Sequence, residues 1–408
     1  MTSLLEILKY PPILKQVCAN LTFEEAIQLR SALKLEVLNC PIFIFDKDGQ
    51  INFLSRVDDL MIQINSSIKK IGSNRSLLEA AYLRNIEMLR ELLNQGANIN
   101  AVSLSGQTSL MIASEKGYLE IVQELLSRKA NFDITSDYGN TALAFASQKG
   151  YVKIVKLLLG QKANVNIADR KGKTALIKAA AAHFGENYLK IVKLLLENGA
   201  NIEARDKKRQ TALIMAAKSG HFEIVQELLD QKADINATDR HDMTALMVAV
   251  RSNNFKPFQL LLDQEKDINA HNQKGDTPLI WAVRYGRLNM VQEILKRQAD
   301  IHALGRDGET ALIAAAGNGY SKIVKLLLNQ GANIDATDQD GQTALMKAAR
   351  YGYLKVVQKL LDQGANINAV NHDGKTAFDL AKENNHFTVV GFLQNQMDEQ
   401  FERSGSSR

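Results

Sequence analysis

The 408-residue chain has only two cysteines, Cys18 and Cys40, both near its start. Two thiols cannot staple a chain of this length, and their scarcity points to a reducing compartment. Proline occurs five times and tryptophan once, while Leu, Ala, Lys and Gln are abundant, which favours helix. No apolar run approaches the roughly 20 residues that a membrane helix needs. The first fifteen residues carry Glu6, Lys9, Pro11 and Pro12 inside their apolar stretch, which argues against a secretory signal, so the default address is a cytoplasm. Charge of one sign is also lacking. Fifty Lys and Arg against 45 Asp and Glu leave a net +5, which permits a local basic patch without implying nucleic acid. At 45% hydrophobic and 23% charged, the chain can bury a core and is not a disordered composition.

Signatures of chemistry are missing too. The seven histidines, His183, His221, His241, His271, His302, His372 and His386, are scattered and have no cysteine near them, so no metal spacing appears. Asp46-Lys47-Asp48-Gly49 and Asp338-Gln339-Asp340-Gly341 resemble the start of a calcium loop but lack its ligand order and closing glutamate, and read as turns. There is no phosphate-cradling glycine loop followed by Lys-Ser or Lys-Thr, and no Gly-x-Ser-x-Gly elbow. Cys18 and Cys40 have no histidine partner and read as core packing. The expectation is a protein with no catalytic residue, no cofactor and no metal.

What the chain does have is a period. Thr108, Thr141, Thr174, Thr211, Thr244, Thr277, Thr310, Thr343 and Thr376 each open a Thr-Ala-Leu-like triplet, at gaps of 33 residues except for one of 37. Ser76 opens a tenth, shortened unit. In each unit a turn such as Asp338-Gln339-Asp340-Gly341 precedes the threonine, which sits where a helix N-cap belongs. A short helix follows, Ala344 to Ala349 in this example. Tyr351-Gly352-Tyr353 breaks it, and a second helix, Val356 to Leu361, ends towards Gly364. Glycine there permits a left-handed C-cap. One helix pair cannot bury its own apolar stripe, so neighbours must stack.

These triplets and turns resemble the ankyrin repeat family over about residues 76–396. The resemblance implies an all-α solenoid of about ten helix pairs with β-hairpin-like turns, roughly 90 Å long at about 8–10 Å per pair. It also implies a non-enzymatic scaffold that holds protein partners on the concave face and the hairpin tips. The sequence departs from the family pattern in three ways. Only Thr277-Pro278-Leu279 keeps the proline of Thr-Pro-Leu-His, and Met111, Ala144, Ile177, Ile214, Met247, Ile280, Ile313 and Met346 replace the histidine, so apolar packing must substitute for its hydrogen bonds. The C-cap glycine is kept at Gly96, Gly199, Gly331 and Gly364 and replaced at Lys129, Lys162, Lys232, Glu265 and Gln298, where a left-handed backbone costs on the order of 1 kcal/mol. The 37-residue gap places a four-residue insertion within Ala180–Asn187, read as a surface loop or as a bump that meets a partner.

Residues 1–75 do not repeat. Residues 1–40 read as helical, with Thr22-Phe23-Glu24-Glu25 as a capping box. Within 41–75, Pro41–Phe45 and Gln50–Leu54 flank a turn as a hairpin, followed by a connecting helix from Asp58 to Ile71. The stretch 10–34, with Pro11, Pro12, Leu21, Leu29 and Leu33, resembles an F-box, although it needs a one-residue deletion and lacks the usual tryptophan. The alternative is a helical cap over the end of the solenoid. The F-box resemblance implies docking on a Skp-type adaptor of a cullin–RING ubiquitin ligase. The chain would then be a substrate adaptor, and with such an array an effector acting in a host cell. Residues 397–408 read as a flexible tail.

Turn and inner-helix residues mark the candidate partner surface. Arg170, Lys171 and Lys173, then Arg205, Lys207, Lys208 and Arg209, then Arg240, His241 and Lys274 make a basic run of tips, and Asp307, Glu309, Asp338 and Asp340 turn it acidic. Lys218, Arg251, Arg284 and Arg350 recur seven residues after a threonine, beside Trp281 and Tyr285, types that often dominate interface energy. The functional reading is a groove on a monomer that takes an acidic protein segment. The alternative is solvated surface charge, with Trp281 as half-buried packing. Nucleic acid fits less well, because few aromatics interleave with the cations and acidic tips share the edge.

Overall fold

The computed structural model describes residues 44–45, 51–52, 73–182, 185–265 and 267–405. It divides into two compact units, Met1–Ser73 and Asn74–Arg408. In the first, strands β1 (Ile44–Phe45) and β2 (Ile51–Asn52) pair antiparallel, Ile44 opposite Asn52 and Phe45 opposite Ile51. The helices expected over 1–40 and 58–71, and with them Pro11, Pro12, Leu21, Leu29 and Leu33, lie outside the described residues.

The second unit is an array of ten helix pairs, the first formed by residues 73–82 and Ile86–Asn94 and the last by Ala377–Glu383 and Phe387–Gly405. The threonine ladder explains where each later pair starts. From Thr108 to Thr376, all nine hydroxyl oxygens accept a hydrogen bond from the backbone N–H three residues on, satisfying one orphan donor of the helix start. In the unit of Thr310, the leucine two residues on (Leu312) and Ile323, Val324 and Leu327 of the second helix are all buried, and the same pattern recurs along the array. Each such side chain contributes about 1.5–3 kcal/mol on burial. Met111, Ile177, Ile214 and Met346, at the position where the family pattern has histidine, are fully buried, so apolar packing fills the site.

First helices of neighbouring units pack against each other more closely than second helices do. The composition fits: the first helices bury small residues such as Ala216, Ala217, Ala315, Ala316, Ala348 and Ala349, whereas the second helices bury larger ones such as Ile224, Val225 and Leu228. Tyrosines at the turn between the helices tie units together. The ring of Tyr353 lies over Gly319 of the preceding unit, where an added Cβ would come within 2.7 Å of it.

Three expectations need correction. Lys129, Lys162, Lys232 and Gln298 do adopt the left-handed conformation, with φ between 60° and 65°, but Glu265 does not. Its φ is −68°, because the helix Phe255–Gln264 runs one residue longer and the chain leaves it extended. The four-residue insertion is not simply a loop. The second helix of that unit, Glu186–Glu197, has 12 residues instead of nine, and the carbonyls of Ala181 and Ala182 are bonded by Ser219 and His221 of the next unit. Residues 397–405 are not a tail but continue the last helix, Phe387–Gly405, supported by side-chain bonds from Gln394 to Asp398 and from Gln396 to Glu399.

Candidate partner-binding surface

Apart from the unit of Thr310, where Gly305 stands, each hairpin tip from Thr108 to Thr376 has a short polar side chain five residues before the threonine. Asp206 Oδ1 accepts from the N–H groups of Lys208 and Gln210 at 2.8 and 2.9 Å; Asp239 does the same for His241 and Met243, and Asp169, Asn272, Asp338 and Asn371 repeat the pattern. These are Asx turns, in which the side chain replaces a missing backbone acceptor. The consequence for charge is direct. Asp206, Asp239 and Asp338 are buried as turn organisers, while the next two residues of each tip face solvent.

Successive tips are joined by backbone. Arg170 N–H donates to Tyr138 O, Lys207 to Lys171 O and Arg240 to Lys208 O, at 2.8–2.9 Å, and the series continues from Gln339 to Asp307 O and from His372 to Asp340 O. This row fixes Arg170, Lys171, Lys207, Lys208, Arg240, His241 and Lys274 side by side, all exposed. Arg209 ion-pairs with Asp242 at 3.4 Å, and Arg240 donates to the ring of His241. Lys173 is half-buried. Among the described residues, no ion pair reaches Arg170, Lys171, Lys207, Lys208 or Lys274.

The inner-helix row is less uniform than its spacing suggests. Lys218 is exposed and Arg251 and Arg350 are half-buried, none with an ion pair. Arg284, only 20% exposed, contacts Asp276 at 3.3 Å and Glu309 of the next unit at 2.9 Å, so its charge is already matched inside the array. Trp281 is half-buried against the core, with Tyr285 edge-on at 5.3 Å.

Position-by-position spacing missed two charged residues. Lys178 and Lys347, four residues after their threonines, reach back to the turn organisers Asp169 and Asp338 at 2.6 and 2.8 Å. The signal was an Asp and a Lys nine apart in both units. Burial works to raise the pKa of Asp169, but the bonds from Lys178 and the Lys173 and Lys171 N–H groups outweigh it and hold the carboxyl below its ordinary value. Burial raises Glu309 instead, only partly offset by the charges of Arg284 and Lys347.

Among the described residues no group of three or more His, Cys, Asp or Glu could hold a metal, and no helix is long and apolar enough to cross a membrane. Two open grooves lie near the start of the array, one beside Glu87, Arg90 and Glu124 and one beside Leu78, Tyr82 and Lys116.

Comparison with protein families gives nine overlapping matches to ankyrin repeats, described as three copies each, from residue 57 to residue 402. The chain belongs to the ankyrin repeat family. Ankyrin repeats imply a protein–protein interaction domain, typically a binding scaffold without catalysis, and the repeat-by-repeat threonine caps are the physical form of that match here. The ankyrin matches do not reach 10–34, and nothing found supports an F-box there. A search of curated proteins found no match.

Proposed function

We propose that this ankyrin array is a monomeric, non-enzymatic scaffold that holds a protein partner along its hairpin tips and inner face, with Arg170, Lys171, Lys173, Lys207, Lys208, Arg209 and Arg240 on the tips and Lys218, Arg251, Trp281, Arg284, Tyr285 and Arg350 behind them. One observation carries the reading: in the units of Thr174, Thr211 and Thr244 the carboxylates of Asp169, Asp206 and Asp239 are turned inward as turn organisers, while the two residues after each, Arg170 and Lys171, Lys207 and Lys208, Arg240 and His241, face solvent without ion pairs. That arrangement leaves an uncompensated positive edge, which attracts an acidic segment and steers its approach. Trp281 and Tyr285 add apolar area beside the cations. Arg284 acts by holding adjacent units together behind that edge.

The test is affinity purification with crosslinking from the native source, using the full chain and a Lys171→Glu, Lys208→Glu, Arg251→Glu triple variant, followed by measured affinity for the captured partner. The expected loss is at least tenfold, or about 1.4 kcal/mol, and the salt dependence should flatten with it. Unchanged affinity and unchanged salt dependence remove this surface from the reading.

A further inference from the structure

One turn position carries a pattern that the wider charge run hides. The residue three before each threonine is exposed in every tip from Thr174 to Thr376, and it changes sign once. It is Lys171, Lys208, His241 and Lys274 in four successive units, with Arg240 bonded to His241, and then Asp307, Asp340 and Asp373 in the next three. None of these seven side chains makes an ion pair among the described residues. The bonds between tips, backbone to backbone except where Arg306 N–H donates to the Asp276 carboxylate, set the row at one residue per unit, or about 8–10 Å per step. An extended polypeptide advances about 3.3 Å per residue, so three of its residues match one step.

We propose that this edge takes an extended polypeptide segment of about 18–20 residues whose own charge changes sign once. Where it crosses Lys171 to Lys274 it carries a carboxylate at about every third residue, and where it crosses Asp307 to Asp373 it carries Lys or Arg at the same spacing. This rests on the reading of the tips as a protein-binding surface and names the chemistry of the segment bound there. The sign change separates the candidates. A nucleic acid is anionic along its whole length and meets three exposed aspartates on the same row, with no aromatic residue at this position beyond Tyr138. A segment that is acidic throughout gains at four units and loses at three. A single change of sign satisfies all seven.

The experiment uses fluorescence anisotropy with the full chain and four labelled probes: a 20-residue peptide with Glu at every third position in one half and Lys at every third in the other, a peptide of the same composition with Glu and Lys interleaved, an all-acidic peptide, and a single-stranded oligonucleotide. The block peptide is expected to bind at least tenfold tighter than the interleaved one. Asp307→Lys with Asp340→Lys should reverse the preference, weakening the block peptide and strengthening the all-acidic one. Lys208→Glu with Lys274→Glu should weaken the block and all-acidic peptides alike. These side chains are exposed, and circular dichroism of each variant is the check that it folds. Equal affinity for block and interleaved peptides overturns the proposal, as does oligonucleotide binding as tight as the block peptide, or an unchanged preference in the aspartate variant. A captured partner that needs Lys171, Lys208 and Arg251 but ignores Asp307 and Asp340 leaves the scaffold reading standing and removes only this one.

Discussion

The junction between the units of Thr211 and Thr244 and the junction between those of Thr277 and Thr310 use the same helix pairs but are fastened differently. At the first, Arg240 N–H donates to Lys208 O, and each tip has its own aspartate organiser. At the second, Gly305 occupies the organiser's place, and Arg306 N–H donates not to the preceding tip's carbonyl but to the carboxylate of Asp276 at 3.0 Å. An added Cβ at Gly305 would come within 2.6 Å of that carboxylate, so the missing side chain is what admits it. Asp276 is fully buried and also pairs with Arg284, which reaches on to Glu309. A ladder of backbone bonds does not depend on any single side chain. At the second junction the bond between the tips depends on one carboxylate, and it falls where the exposed tip row changes sign.

The sharpest way to break the comparison is to remove that carboxylate. Asp276→Ala should destabilise the junction by about 3–5 kcal/mol, because it leaves Arg284 with half its compensation in a buried site. Asp239→Ala, in the backbone-fastened junction, loses acceptors for the His241 and Met243 N–H groups and should cost about 1–3 kcal/mol. Native-state hydrogen exchange is the measurement, since an array can open locally without unfolding as a whole. Equal protection losses at both junctions would show that the two are fastened alike.

A second contrast is in pH. Asp169, held below its ordinary value, contributes stability that is present at neutral pH and is lost only as pH falls through its depressed folded value, below the usual carboxylate value of about 3.9. Glu309 has the opposite sign. Its raised folded value means that its contribution is present below about 4.3 and is lost as pH rises through that raised value. Mild acidification from neutrality should therefore firm the unit of Thr310 before stronger acid weakens that of Thr174. Chemical denaturation of Glu309→Gln and Asp169→Asn variants across pH should each delete one of these responses and leave the other.

The smallest expected effect concerns the second-helix ends. Gly331 and Gly364 meet the left-handed requirement freely, with nothing within 4 Å of an added Cβ, whereas Lys232 adopts the same conformation at φ 64°. Gly364→Ala should cost about 1 kcal/mol through backbone strain alone. Lys232→Gly should gain less than that, since glycine is also more disordered when unfolded. Matching melting shifts of opposite sign would sharpen the contrast, and no shift in either would end it.

The period of 33, the threonine caps and the buried Leu and Ile-Val positions were all legible in the sequence, because each repeats at fixed offsets and obeys local rules of capping and amphipathic spacing. The left-handed Lys129, Lys162, Lys232 and Gln298 were legible by position, but Glu265 was not, since one extra helical residue removes the need for a left-handed step. The tip cations were legible as a charge run. Which of them are uncompensated was not: Arg284 looked equivalent to Arg251 and Arg350, and only the stacking of units brings Glu309 to it.

The sequence by itself determined the unit: where each helix starts, which face is apolar, and that one unit cannot stand without its neighbours. Only the tertiary structure decided how charge is shared between units, because the distance from Arg284 to Glu309 or from Arg306 to Asp276 depends on how two helix pairs stack rather than on spacing within one. Local geometry is written in residue order, and the balance of charge along an edge is fixed only when separate turns are brought into contact.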